Sequence, residues 1–278
     1  MQLGIFAKTF AGRDPGSVFR AARAAGYRAV QYNMACSGLP PMPVEIPPGT
    51  ADAICAAARQ TGVAVAAISA TYNMIHPDCA VRRRGHASLA CIAAVAREIG
   101  APLLTLCTGT RDPADQWRAH PDNQTPRAWR DLLVSIETAV EIAERYGVAL
   151  GIEPEPANVV HSADLARRLM IEIGSPRLRI VLDPANLFAV ESLDRQRAIV
   201  ADAIEKLADR LSLVHAKDRD AAGRVVTAGT GVLDYRFYFR RLRDARYTGP
   251  VITHGLHAEE AADVAAFLER RLAELSPV

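Results

Sequence analysis

The chain has 278 residues and a formal net charge of +2, with 23% charged and 50% hydrophobic residues. It is too long for a disulfide-stapled miniprotein and too apolar for a disordered chain, which leaves one large α/β domain or two small ones. The near-balanced charge argues against a general nucleic-acid binder, which carries a basic patch or stripe.

Short apolar runs alternate with longer amphipathic ones along the whole sequence. Leu3–Ala7 reads as a strand. Pro15–Ala25 follows as a helix, with Asp14 as its cap, Pro15 at its first position and Gly26 closing it. Tyr27–Tyr32 is the next strand, and the Pro-rich stretch Pro40–Pro48 reads as the loop after it. Thr50–Gln60 is a helix, Val63–Ala70 a strand and Val81–Ile99 a long helix. In that helix Leu89, Ile92, Ala96 and Ile99 recur at helical spacing. Strands at Pro102–Cys107, Val148–Ile152 and Leu178–Leu182 alternate with helices at Pro126–Tyr146, Ala163–Ile173 and Leu193–Ala208. The pattern closes with strands Leu211–Ala216 and Pro250–Thr253, and helices Asp234–Ala245 and Glu259–Leu275. Several strands are continuous apolar runs, as parallel strands covered on both faces require. Eight strand–helix units predict a single (β/α)8 TIM-barrel domain spanning 1–278. An open doubly wound sheet is the alternative, but the first turn, FAKTFAGRDPG, lacks its G-x-G-x-x-G fingerprint.

The sequence holds 50 alanines, and 30 arginines against three lysines: Lys8, Lys206 and Lys217. Codon bias raises alanine and arginine together, so the information lies in where each lysine falls. Five cysteines, with no CxxC pair, read as reduced thiols, mostly in the core of a cytoplasmic protein. The first ten residues do not resemble a signal peptide, and no apolar run is long enough to span a bilayer.

A barrel carries its chemistry at the C-terminal ends of its strands. Lys8 ends the first predicted strand and Tyr32 the second. Tyr72, Asn73 and His76 follow the third. Cys107 and Thr108 end the fourth, and a polar loop with Arg111, Trp117, Arg118, His120 and Asn123 follows. Glu153 and Glu155 end the fifth, Asp183 the sixth, His215 and Lys217 the seventh, and His254 the eighth. Four adjacent strands thus end in Glu153, Asp183, His215 and His254. Two carboxylates and two imidazoles at one mouth predict a divalent cation, and mixed oxygen and nitrogen donors suit Mn, Zn, Co or Fe better than Ca. Glu155, two residues after Glu153, is a candidate second ligand, substrate contact or base. Asn186 is a candidate substrate contact or a plain loop amide. In the long loop, Trp117 offers a face to a sugar, and Arg111 or Arg118 a clamp for a carboxylate or phosphate. His76 and His120 join Lys8 as candidate substrate contacts. Lys217 and Lys8 are candidates to polarise a carbonyl or stabilise an enolate.

With those residues in place, the chain resembles the xylose isomerase-like TIM barrels, in particular the sugar phosphate isomerase/epimerase superfamily. The segments that carry the resemblance are IEPEP, VLDPAN, VHAKD and YTGPVITHGL. The resemblance implies that Glu153, Asp183 and His215 hold one divalent metal ion (Mn, Zn, Co, Mg or Fe). The family's eighth strand usually adds a glutamate. Here His254 takes that place, with no acid at Thr253, Gly255 or Leu256. Ketose epimerases of the family use two metal-bound glutamates on opposite faces of the substrate, and this chain keeps only Glu153. The expected activity is isomerisation or epimerisation of a small keto-sugar, polyol or sugar acid, by proton abstraction and a metal-stabilised enediolate. The catalytic candidates are Glu153, His254, Lys217 and Glu155. An inosose dehydratase-like lyase is the nearest alternative. An endonuclease IV-like phosphodiesterase is less well matched, since that family carries D-x-x-H where this chain has Asp183-x-x-Asn186. A non-catalytic sugar-binding barrel is the remaining reading. The expected partner is a small sugar or polyol, with no nucleic acid or membrane; a homo-oligomer is compatible with the family.

Overall fold

In the computed structural model, which describes residues 1–275, Gln2–Phe6 (β1) pairs in parallel with Pro250–Thr253 (β8), Leu3 opposite Val251. That pairing closes the sheet. Between them lie Ala29–Tyr32 (β2), Ala64–Ser69 (β3), Leu103–Cys107 (β4), Ala149–Glu153 (β5), Leu178–Leu182 (β6) and Leu211–Ala216 (β7). Each strand neighbours the next, so the order around the ring is the chain order. The helices are Pro15–Ala24 (α1), Thr50–Thr61 (α2), Cys79–Ile99 (α3), Pro126–Tyr146 (α4), Ala163–Ile173 (α5), Leu193–Leu207 (α6), Tyr235–Asp244 (α7) and Ala261–Ala273 (α8). The (β/α)8 barrel is therefore the fold, and closure between β1 and β8 excludes the open sheet. Residues 276–278, the end of the predicted domain span, lie outside the described residues.

Local chemistry sets the helix ends. The Asp14 carboxylate accepts from Ser17 N at 2.9 Å and Ser162 Oγ from Leu165 N at 3.3 Å. Both satisfy amides left free in a first turn. Gly100 and Gly147 end α3 and α4 in the left-handed region, where a side chain is disfavoured.

Most element boundaries differ from the sequence pattern by one or two residues, and four of the shifts have a local cause or consequence. β1 stops at Phe6, and Ala7–Thr9 form a 3-10 turn, so Lys8 stands beyond the strand. β2 begins at Ala29 rather than Tyr27. Asp78 caps α3 through Ala80 N at 2.7 Å, which starts the helix at Cys79. A 3-10 turn, Ala258–Glu260, precedes α8. The loop after β7 also folds into a two-residue antiparallel ribbon, Asp218–Arg219 against Val225–Val226, which is too short to leave a periodic signal. The Pro40–Pro48 stretch does lie in the loop between β2 and α2.

Side chains alternate across each strand. Leu104, Leu106, Ile180, Leu182 and Val214 pack outward in the large cluster with the helices. Ala67, Leu103, Val181, Leu213 and Ile252 form a separate apolar layer inside the ring. Two residues further along β4, β6 and β7 the same inward face carries Thr105, Asp183 and His215. The interior thus changes from apolar to polar toward the C-terminal ends, and this change positions the site.

The five cysteines are free. Cys36 and Cys107 are buried, Cys55 and Cys91 half-buried and Cys79 exposed, so fewer are core thiols than the sequence suggested. No helix among the described residues is long and apolar enough to cross a membrane.

One close approach yields a stability prediction. Gly85 in α3 lies against the Tyr72 ring, closer than a β-carbon tolerates. Gly85→Ala is expected to destabilise by about 1–3 kcal/mol through overpacking, despite the higher helix propensity of alanine. Thermal denaturation checks it; an unchanged or raised Tm would contradict it.

Candidate metal and substrate site

Glu153 ends β5, and Asp183 follows β6 immediately. His215 lies on β7, and His254 follows β8. Each offers one ligand atom, and these four atoms lie within 4.8 Å of one another. The Nδ1 atom of His215 is 3.2 Å from Glu153 Oε1 and 3.7 Å from Asp183 Oδ2. Nε2 of His254 is 3.2 Å from the same Asp183 oxygen. The two imidazoles meet edge to face, with centroids 4.4 Å apart. Glu153, Asp183 and His215 are buried, and His254 is half-buried. A group of this kind is stable only when its charges are balanced and its polar atoms bonded.

Two further side chains complete the group. Lys217 donates to Asp183 Oδ2 at 2.7 Å and to Asn186 Oδ1 at 2.9 Å. Asn186 in turn donates to Glu153 Oε1 at 3.0 Å. On the far side, His215 Nε2 lies 3.0 Å from Gln31 Oε1, and Gln31 Nε2 donates to Thr105 Oγ1 at 3.1 Å. Gln31 was not singled out in the sequence. Its signal was there, as the one polar residue of the strand AVQY, pointing inward by alternation. Tyr32, which ends that strand, points outward and bonds Ser37 Oγ at 2.7 Å.

The protonation states follow from this geometry. Burial would raise the Glu153 carboxyl, but the His215 charge and hydrogen bond outweigh it and hold it below the usual range. Burial acts on Asp183 in the same way, and Lys217, His215 and His254 together keep it well below. Burial opposes a charged His215, yet Glu153 and Asp183 raise it to about 9. His254 is lowered, first by burial and then by the neighbouring His215 and Lys217 charges. Glu155 is raised to about 7 by burial and by the Glu153 charge beside it.

The donor set fits a divalent cation. With Glu153 and Asp183 ionised and Lys217 charged, the group carries two negative charges and one positive, and Glu155 adds a third negative charge once it loses its proton. Neutral imidazoles then leave two negative charges for a divalent ion to cancel. Without such an ion, a proton on His215 supplies part of that charge. Two oxygens and two nitrogens match the preference of Mn, Zn, Co or Fe.

Three of the four residues, Glu153, His215 and His254, line a cavity of about 380 Å³, a usual size for a small-ligand site. Glu153, Glu155, His215 and His254 line it from β5, β7 and β8. Gln31, Asn33, Ser69, Thr71 and Thr105 line it from β2, β3 and β4, with Phe6, Lys8 and Trp117 also on its wall. Trp117 is 51% exposed, which leaves its ring face available. A larger cleft, about 600 Å³, lies on the outside between α4 and α5, around Trp129 and Arg168. None of the four clustered residues lines it, so it is not the chemical centre.

Several expected substrate contacts are placed elsewhere. Arg111 turns away from the mouth, donating to Asp131 at 2.5 Å and to the Ile75 carbonyl at 3.1 Å. His76 Nε2 lies 3.1 Å from the Pro113 carbonyl, and His120 accepts from Asp122 N at 3.2 Å as a turn cap. None of the three lines the cavity. A loop residue's position in sequence gives its neighbourhood but not its direction, and these three found partners in their own loop or its neighbour. Asn186 and Lys217 are also not on the cavity wall. Both are buried, bonded to each other and to the carboxylates.

A family model described as xylose isomerase-like TIM barrel matches residues 19–271. The chain belongs to this family. Among solved structures of the same fold is 3-keto-D-glucoside 4-epimerase from E. coli, with a TM-score of 0.77 at 18% identity, covering 97% of this chain and 99% of that one. A D-tagatose 3-epimerase-like protein reaches 0.78 at 15% identity, covering 99% and 98%. D-allulose 3-epimerase from Methylomonas sp., in complex with D-allulose, reaches 0.74 at 16% identity, covering 98% and 97%. No curated protein matches the sequence. This member of the xylose isomerase-like barrels is therefore similar in fold to several sugar epimerases, and its cluster lies at the mouth where the fold carries chemistry.

Proposed function

We propose that the chain is a divalent-cation-dependent isomerase or epimerase of a small keto-sugar or related polyol. The observation that carries this reading is the convergence of Glu153, Asp183, His215 and His254 within 4.8 Å, three of them on the cavity wall. Glu153, Asp183 and His215 would hold the cation, with His254 either its fourth ligand or, when free of the cation, a proton-transfer group. When bound, the cation supplies Lewis acidity that eases loss of a proton α to a carbonyl. The protein moves that proton. Glu155 and His254 both line the cavity, from the β5 and β8 sides. One carboxylate or imidazole takes the proton from carbon and a group across the cavity returns it, so atoms balance without a co-reactant. Asn33, Ser69, Thr71 and Thr105 orient hydroxyls on the opposite wall. Lys217 holds Asp183 and offsets the charge of the carboxylates.

When a hydroxyl stands β to the carbonyl, the same proton removal leads to loss of water, and a His254 imidazole in place of a second glutamate can protonate the departing oxygen. Proton NMR in D₂O with keto-sugars, inososes and hydroxypyruvate tests both outcomes. Solvent deuterium at the α-carbon with an isomeric product supports the isomerase, and an unsaturated or deoxy product the lyase. No exchange with the cation bound would refute proton transfer as the function.

Gln31 makes a separate expected outcome. For His215 Nδ1 to present a lone pair, its Nε2 must carry the proton, and Gln31 Oε1 is the acceptor that fixes this form. Gln31→Met is expected to weaken cation affinity by about 10–100-fold, the usual cost of losing such a partner. Gln31→Glu keeps the acceptor and is expected to retain affinity. Titration calorimetry with Mn or Co measures both; equal loss in the two variants would indicate a packing role only.

A further inference from the structure

We propose that the substrate is an uncharged polyhydroxy ketone rather than a sugar phosphate or sugar acid. This rests on the keto-sugar reading above and narrows it. In TIM barrels a phosphate is frequently held by the loops after the seventh and eighth strands and by the N-terminus of a short extra helix. Both places are filled here by the chain's own carboxylates. After β7, the fully buried Asp218 takes four backbone amides. Its Oδ2 accepts from Gly229 N and Gly231 N, each at 3.1 Å, and its Oδ1 from Leu233 N at 2.9 Å and Arg219 N at 2.8 Å. The glycine-bearing loop 227–233 is thus wrapped around an internal anion, and the amides that would cradle a phosphate are spent. After β8, the Glu260 carboxylate accepts from His257 N at 2.7 Å and from Thr227 Oγ1 at 2.8 Å. Glu260 is the last residue of the short 3-10 turn, and its carboxylate reaches back to cap the turn and tie it to the same β7 loop. The backbone donors at both places are thus already bonded to carboxylates of the chain.

The arginines give an independent argument. The chain has 30 of them, yet none is among the described residues that line the cavity. Arginine is the side chain best suited to a phosphate or carboxylate fork. Three arginines of the loops around the mouth are committed elsewhere. Arg118 grips Asp112 with two bonds, at 2.5 and 2.8 Å, and Arg111 holds Asp131. Arg219 donates to the Ala185 and Gly223 carbonyls. The wall facing the carboxylates is instead made of neutral hydroxyls and amides, from Gln31, Asn33, Ser69, Thr71 and Thr105. Such groups match the alternating donors and acceptors of sugar hydroxyls. Lys217 is neutralised by Asp183 at 2.7 Å. Lys8 is exposed at the rim, where hydration screens its charge.

The test compares free ketoses with their terminal phosphate esters and with keto-sugar acids, using the cation-loaded protein. Deuterium exchange in D₂O gives kcat/KM for each, and saturation-transfer NMR reports binding without turnover. A free ketose is expected to exchange at least about tenfold better than its phosphate ester, since no arginine and, among the described lining residues, no lysine but the exposed Lys8 reaches the cavity wall. Inorganic phosphate is expected not to compete. An ester or acid that binds or exchanges better than the free ketose overturns the neutral-substrate assignment while leaving proton transfer standing. Binding of free ketoses over esters without any exchange supports the assignment and overturns only the proton-transfer reading.

Discussion

Glu153→Gln is expected to remove cation binding and to lower α-proton exchange by about 10²–10⁴-fold, the range for losing a positioned proton-transfer group or its support. The amide keeps the shape of the side chain but removes its charge. Glu153 Oε1 is the acceptor for Asn186 at 3.0 Å and the neighbour of His215 Nδ1 at 3.2 Å. An amide oxygen still accepts from Asn186, so the fold is expected to survive. It cannot balance His215 or contribute an anionic ligand, so one of the negative charges is gone and a divalent ion is no longer neutralised. Elemental analysis of the purified variant checks the first part, and deuterium exchange the second. Circular dichroism guards against a folding defect. Cation content equal to wild type in a folded Glu153→Gln protein would refute the site.

The sequence showed the ring and the charged half of the site for a common reason. Each barrel strand is a short apolar run, and the residues after it must leave the core. A charged residue at that point therefore announces itself, as at Glu153, Asp183, His215 and His254. The neutral half was harder to see. Gln31 and Thr105 are neutral residues inside strands, and only the alternation of faces marks them as inward. Taking the last residue of each strand selected Tyr32, whose ring faces the helices, over Gln31, which faces the cavity. The long loop after β4 gave the least. Trp117 reaches the cavity wall, while Arg111, His76 and His120 are held by local carbonyls, carboxylates or amides that no spacing rule predicts. The lysine pattern also acquired a physical meaning. Lys217 is buried with two polar partners, and a compact ammonium fills that place where a planar guanidinium would need more room and more acceptors.

Asp183→Asn is expected to be the most destabilising single change at the site in the cation-free protein, and Lys217→Met is expected to relieve part of it. Asp183 is 1% exposed. Its Oδ2 faces Lys217 at 2.7 Å, His254 at 3.2 Å and His215 at 3.7 Å, and its Oδ1 accepts from Ala185 N at 2.9 Å. One buried carboxylate thus compensates a buried ammonium and helps to hold both imidazoles. Removing its charge leaves the Lys217 ammonium without its closest counter-ion, and breaking a buried pair from one side costs about 3–5 kcal/mol. Most of that cost is the unpaired charge, not the lost attraction. Removing the ammonium as well replaces it with an apolar side chain of similar length. The Asp183→Asn/Lys217→Met double variant should therefore be more stable than Asp183→Asn alone, and a double-mutant cycle in urea gives the coupling. Cation binding should remain lost in the double variant, because the carboxylate ligand is still absent. Additive stabilities would show that the pair contributes no coupling. A double variant that bound the cation would show that Asp183 is not a ligand. The two readouts separate charge compensation at Asp183 from the proposed cation binding.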